Sequence, residues 1–267
     1  MGFAKLAFLA MELAVSLRSL VVLLGSFPAL SGVDLDIQSG EIVYVRGANG
    51  AGKTTLLRFC AGLLNFYSGE GQVLGFDIRD ANSDTRQMWR TQVGYLGHET
   101  RLYPDLTAQE NLAFLAKLCR AEMAALQYGV ERLELSQELL ATRVGSLSAG
   151  QRRRVALAGV VLRSPKLWLL DEPHASLDSR GRSCVDQLIV DAAKAGATLL
   201  VVTHEPVAHE LLEAVPADLS VGESAASGSA TAGSEAAGSA SGGSAIACAP
   251  GSSRLVELSG GAVKGNR

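Results

Sequence analysis

Charge is scarce in this chain of 267 residues. Asp, Glu, Lys and Arg make up 19% and aromatics 5%, against roughly 25% charged residues in an average soluble domain. The formal net charge of -3 leaves no domain-wide basic field to concentrate the protein on nucleic acid, so no nucleic acid partner is expected. The four cysteines, Cys60, Cys119, Cys184 and Cys248, form no C-x-x-C pair. Neither a disulfide framework nor a zinc site follows from them, and they read as unpaired thiols of a reducing compartment. No clean apolar run reaches the roughly 18 residues of a membrane span. Ser19 to Val33 is uncharged but broken by Gly25 and Pro28, while Lys5, Glu12 and Arg18 interrupt the apolar first thirty residues. Neither a transmembrane helix nor an export signal is expected there. What the chain does have is a hydrophobic fraction of 48%, enough for one domain of ordinary size with a real core.

Residues 13–24 and 33–37 mix alternating and continuous apolar positions, and 41–46 (Glu-Ile-Val-Tyr-Val-Arg) is short and β-branched, which predicts strands leading into a glycine-rich turn. Lys166 to Leu170 and Ala197 to Thr203 are nearly continuous apolar runs, the pattern of strands buried on both faces of a parallel sheet. Ser179 to Ala195 between them reads as a crossover helix. From Ala108 to Val160 the spacing is helical, which predicts a helical insert in an α/β domain. All but six residues from Gly222 to Ser253 are Ser, Ala or Gly, too little apolar surface to offset ordering entropy, so this tract reads as a flexible insertion. Arg254 to Leu258 then resumes a β-like pattern.

Gly47-Ala48-Asn49-Gly50-Ala51-Gly52-Lys53-Thr54, followed by Thr55, fits G-x-x-x-x-G-K-[ST] between a predicted strand and a predicted helix. The glycines let successive N–H groups converge on the β- and γ-phosphates of ATP, Lys53 neutralises their charge, and the Thr54 hydroxyl is a candidate Mg²⁺ ligand. Leu167-Trp-Leu-Leu-Asp171-Glu172 delivers two carboxylates to the end of a buried strand, where open α/β sheets bind ligands. Asp171 is a candidate for holding Mg²⁺, directly or through water, and Glu172 for polarising the attacking water. Leu147-Ser148-Ala149-Gly150-Gln151 lies just upstream, and Ser148 can be read simply as a helix N-cap.

With these three motifs the sequence resembles the ATP-binding cassette (ABC) ATPases, whose signature usually reads LSGGQ where this chain has Ala149. The resemblance runs from about Leu13 to the final glycines, apart from the Ser/Ala/Gly tract. It implies an α/β P-loop NTPase fold of the ABC ATPase type, with a mainly parallel sheet core, an antiparallel β subdomain and a helical subdomain at about 100–158. It divides the chain into an extension (1–12), the ATPase domain (13–221), the insertion (222–253) and the end of the ATPase domain (254–267). It also implies that Ser148, Gly150 and Gln151 meet the γ-phosphate of ATP bound to a second subunit. Ser176-Leu177-Asp178 matches the dimer-contact loop, and His204 matches the switch histidine that orients water with Glu172. His174 and His209 match nothing and read as surface residues. The glutamine expected at about position 98 is replaced by His98 and Glu99. The adenine-stacking aromatic falls near Leu24, with Phe27 close by. Arg152 to Arg154 read as a solvated helix face.

A cassette of this kind serves either a transporter, with the membrane spans on a separate permease, or a soluble machine. Lys53 and Ser148 are only 95 positions apart, too few for the coiled coil of repair and chromosome members, and there is one cassette where ribosome-associated members carry two. Intact Lys53, Asp171, Glu172 and His204 argue against a binding module without catalysis. Gly94-Tyr-Leu-Gly-His98, Leu106-Thr-Ala-Gln-Glu-Asn-Leu112 and Leu147-Ser-Ala-Gly-Gln-Arg-Arg153 look most like the ATPase subunit of the haem exporter of cytochrome c maturation, with multidrug or other exporters as the alternative. That resemblance implies a homodimer or paired cassette, a membrane permease and peripheral association with the cytoplasmic face of the plasma membrane.

Overall fold

The computed structural model describes residues 13–80, 82–204 and 253–264. The expectations for 1–12, His209 and Cys248 fall outside them, as does the insertion expected at 222–253 except for Ser253, which instead opens a strand. A six-stranded sheet has the order β10 (Ala262–Lys264), β9 (Ser253–Ser259), β3 (Ile42–Gly47), β8 (Thr198–Val202), β7 (Leu167–Asp171), β6 (Val93–Leu96). Its neighbours are parallel except for the β9–β10 hairpin. A second, antiparallel sheet has the order β2 (Phe27–Gln38), β1 (Leu13–Leu24), β4 (Ser68–Val73), β5 (Phe76–Asp77). The helices are α1 (Lys53–Cys60), α2 (Ser83–Thr91), α3 (Ala108–Cys119), α4 (Met123–Arg132), α5 (Gln137–Ala141), α6 (Ala149–Val161) and α7 (Ser179–Lys194).

Every residue of β7 and β8 is buried, because alternate side chains feed two different cores. Ile42, Tyr44, Trp168, Leu170, Leu199 and Val201 pack with the helices of the 108–194 stretch. Val43, Val45, Leu169, Leu200 and Val202 pack on the other face with α1 and the antiparallel sheet. A strand that feeds both cores needs apolar residues at every position, which is why these segments read as continuous runs.

The structure lengthens one expected strand, fills a stretch that the sequence left unread and bears out the helical insert. The strand expected at 33–37 begins at Phe27 and contains Pro28; β2 is the edge of its sheet, where a missing N–H breaks no ladder. The stretch 68–96, which the sequence pattern left unassigned, holds β4, β5, α2 and β6. The helical region is four helices, α3 to α6, with a 3₁₀ turn at Val144–Ser146. The carboxyl ends of β3, β7, β8 and β6 lie along one edge of the sheet, and Asp171 is in register with Val202. The segments that follow these strands build the site.

Candidate functional site

The loop from Gly47 to Gly52 leaves β3 and enters α1 with its backbone in conformations that side chains resist: φ is +149° at Gly47, +79° at Gly50 and +94° at Gly52. Gly52 caps α1 without any side-chain hydrogen bond, and the first turn holds no acidic residue. The first-turn N–H groups of α1 therefore carry the positive end of the helix dipole with no acidic side chain of that turn against them. Lys53 is buried, and its Nζ donates to the carbonyls of Gly47 (2.7 Å) and Ala48 (2.9 Å). A cation thus sits at the centre of the loop. Ala48, Asn49 and Gly50 are exposed, while Ala51 and Thr55 face the core side.

Thr54, beside that lysine, donates from Oγ1 to Oδ2 of Asp171 at 2.8 Å, which closes a gap of 117 positions in sequence. Asp171 ends β7 and is 3% exposed. Glu172 follows in a left-handed conformation, φ +52°, with its N–H donating to Val202 O at 2.9 Å. Its carboxylate Oε1 stands 3.1 Å from His204 Nε2, at the end of the segment after β8. The structure therefore brings the loop, Lys53, Thr54, Asp171, Glu172 and His204 together at the carboxyl ends of β3, β7 and β8. Hydroxyl and carboxylate side by side are the hard oxygen donors that Mg²⁺ takes, one or two from the protein and the rest from phosphate and water. Among the described residues no group of three or more His, Cys, Asp or Glu lies together.

The second group of expected residues is not joined to the first within this chain. Ser148 caps α6: its Oγ accepts from Gln151 N (3.1 Å), and Gln151 Oε1 accepts from Ser148 N (2.8 Å). Gly150 packs so tightly that a Cβ there would stand 2.6 Å from Ser176 O. Asp178 caps α7 through Gly181 N at 2.7 Å. These side chains are committed to their own helices, and none is bonded to the 47–54 loop.

Two readings of the sequence are overturned here. Arg152 to Arg154 do not form a solvated face. Arg152 donates to Leu147 O, Arg154 to Leu133 O and Glu134 O, and Arg153 is 4% exposed. The signal that could have found this is helical phase, since Arg153 shares a stripe with the buried Leu157 and Val160. His174 is not a free surface residue either, because its Nε2 lies 2.7 Å from Asp186 Oδ1. His98 and Glu99 are exposed on the segment after β6.

Residues 30–175 match the ABC transporter family. The chain belongs to that family. It is 40% identical over 175 residues to the cytochrome c biogenesis ATP-binding export protein CcmA of Aliivibrio fischeri, covering 65% of this chain and 83% of that protein. It is 36% identical over 190 residues to CcmA 2 of Cupriavidus metallidurans, covering 70% and 88%. Among solved structures, cbiO1 of Clostridium perfringens, part of the ABC transporter complex cbiONQ, aligns with a TM-score of 0.63 at 27% identity over 73% of this chain and 79% of that one. The fold is also that of the ABC cassette MJ0796, with a TM-score of 0.70 at 24% identity over 94% and 96% of the two chains. This ABC protein is therefore an ATP-binding, ATP-hydrolysing subunit of transporter type, with the P-loop NTPase fold that its motifs implied.

Proposed function

We propose that this ABC ATPase drives a haem exporter of cytochrome c biogenesis, pairing with a second cassette around two ATP and working on a separate membrane permease at the cytoplasmic face of the plasma membrane. The export proteins of cytochrome c biogenesis that it is similar to support the process. The single observation that carries the chemistry is the meeting of Thr54 with Asp171 at 2.8 Å beside the Glu172–His204 pair at 3.1 Å.

In this reading the N–H groups of the 47–52 loop and the first turn of α1 hold the β- and γ-phosphates of ATP, and the Lys53 ammonium turns from the loop carbonyls to the phosphate oxygens. Thr54 and Asp171 would hold Mg²⁺, which would offset charge on the phosphate oxygens. Glu172 orients a water and accepts its proton as the water oxygen bonds to the γ-phosphorus and the bond to the bridging oxygen breaks, releasing ADP and phosphate. His204, 3.1 Å from Glu172, steadies the carboxylate and reaches the γ-phosphate. Ser148, Gly150 and Gln151, at the N-terminus of α6, present a second anion clamp to the ATP of the paired cassette, with Asp178 at the same contact. Closure of the pair shuts bulk water out of the site.

The biological assignment is tested by covalently bound haem in c-type cytochromes of the source cell, comparing wild type with Glu172→Gln at equal expression. Selective loss, with other haem proteins normal, is the expected result. Unchanged cytochromes, with the variant shown inactive as an ATPase, would move this subunit to another exporter.

A further inference from the structure

Arg153 is a buried cation with an unusual set of partners. Its guanidinium donates to four backbone carbonyls and to no carboxylate: Gly97 O at 2.7 Å, His98 O at 3.1 Å, Glu172 O at 2.8 Å, and Asp171 O. Its Nε is buried without a partner. Burial lowers its pKa, and the nearby charges of Asp171, Glu172 and Tyr95 act in the opposite direction. These contacts come from the second turn of α6, the helix that Ser148 caps, and reach the ends of two neighbouring parallel strands, β6 and β7. Carbonyls at strand ends lack ladder partners, and a planar fork with five donors is the one side chain that can bridge several of them at once.

The bridge lands where the backbone is least relaxed. Glu172 has φ +52°, a conformation that is unfavourable for a non-glycine residue and persists only where its surroundings impose it. Arg153 grips the carbonyls of the two peptides that flank the Glu172 Cα, those of Asp171 and of Glu172, while Glu172 N–H is fixed by Val202 O. From this geometry we infer that Arg153 is a positioning residue: it holds Glu172 in the left-handed conformation that aims its carboxylate at His204, and it ties that conformation to α6 and to the His98–Glu99 segment. A displacement of α6 or of the 97–99 segment then moves the base. The inference rests on the assignment of Glu172 as the group that orients water, and it adds the side chain that sets where this carboxylate points.

The test is steady-state ATPase kinetics of the full chain carrying Arg153→Gln, Arg153→Lys, Glu172→Gln and the double variants, with binding of a fluorescent ATP analogue measured alongside. Misplacing a catalytic group by about 1 Å can cost about a hundredfold in rate. Arg153→Gln is expected to lower kcat by about tenfold to hundredfold while KM and analogue binding stay within about threefold. Arg153→Lys, which keeps the charge but loses the fork, is expected to lose about threefold to tenfold. In the Glu172→Gln background either substitution is expected to change the residual rate by less than about twofold, because its effect passes through that carboxylate. Wild-type kcat in the Arg153 variants, a rise in KM matching the fall in kcat, or the same fold-loss in the Glu172→Gln background would overturn the inference. Should Arg153→Gln fail to fold, the Lys variant carries the same comparison, with wild-type kcat overturning it. Full turnover in Glu172→Gln alone would instead overturn the assignment of Glu172, a separate outcome.

Discussion

Gly47 shows how a single atom governs the phosphate loop. A Cβ at this position would lie 2.2 Å from Leu258 O of β9, at a φ of +149° that side chains resist. Gly47→Ala is expected to cost about 1–3 kcal/mol in chemical unfolding and to weaken ATP binding, because the loop must leave the strand that backs it. Lys53→Ala is expected to weaken ATP binding at least about tenfold, or about 1.4 kcal/mol, read by equilibrium titration, with the fold retained. Cys60 is fully buried, and burial pushes its thiol up to about 12. It should resist alkylation in the native protein at pH 8 while Cys119 and Cys184, which are partly accessible, are modified. Rapid native labelling of Cys60, followed by mass spectrometry, would contradict the packing around α1. At this scale the sequence was most informative where a residue type carries its own chemistry, as with Lys53, Thr54, Asp171 and Glu172. It misled at Arg153, read with its neighbours as a solvated face, because three consecutive arginines look alike until the helix phase decides which one turns inward.

Helix α3 and helix α6 open with the same device, a capping box made by Thr107 with Glu110 and by Ser148 with Gln151. Replacing either cap by alanine is expected to cost about 1 kcal/mol of stability. The two should part in activity: Thr107→Ala leaves ATP turnover near wild type, whereas Ser148→Ala lowers it beyond what its stability loss explains. Equal turnover in the two variants would leave Ser148 as a cap and nothing more. The elements that were legible in the sequence are those whose burial imposes a pattern, β3, β7, β8 and α7. The unread ones lack such a pattern for physical reasons. Strand β4, Ser-Gly-Glu-Gly-Gln-Val, has one buried residue, and a Cβ on Gly71 would lie 2.0 Å from Ser16 O, so close backbone approach rather than apolar alternation defines it. Helix α2 buries only Trp89, whose Nε1 donates to Cys60 O at 2.9 Å.

On the scale of the whole molecule, β9 returns to the sheet beside β3, on the side opposite β8, and is anchored by Arg254 on Glu41 at 2.5 Å. Strands β8 and β9 both run parallel to β3, and a connection between parallel strands needs about a dozen residues, fewer than positions 205–221 supply. Deleting 222–252 is therefore expected to leave ATPase activity within about twofold, since loop-closure entropy changes slowly with length. Loss of folding on that deletion would show that the tract has a structural part.

Within one chain the Ser148 group and the 47–54 loop are unconnected, so the proposed chemistry stands or falls on pairing. The direct measurement is sedimentation of Glu172→Gln with ATP and with ADP, alongside its turnover. The account predicts a dimer with ATP, a monomer with ADP, and hydrolysis lowered by about 10² to 10⁴ relative to wild type. A monomer at saturating ATP, or wild-type turnover in this variant, would contradict it.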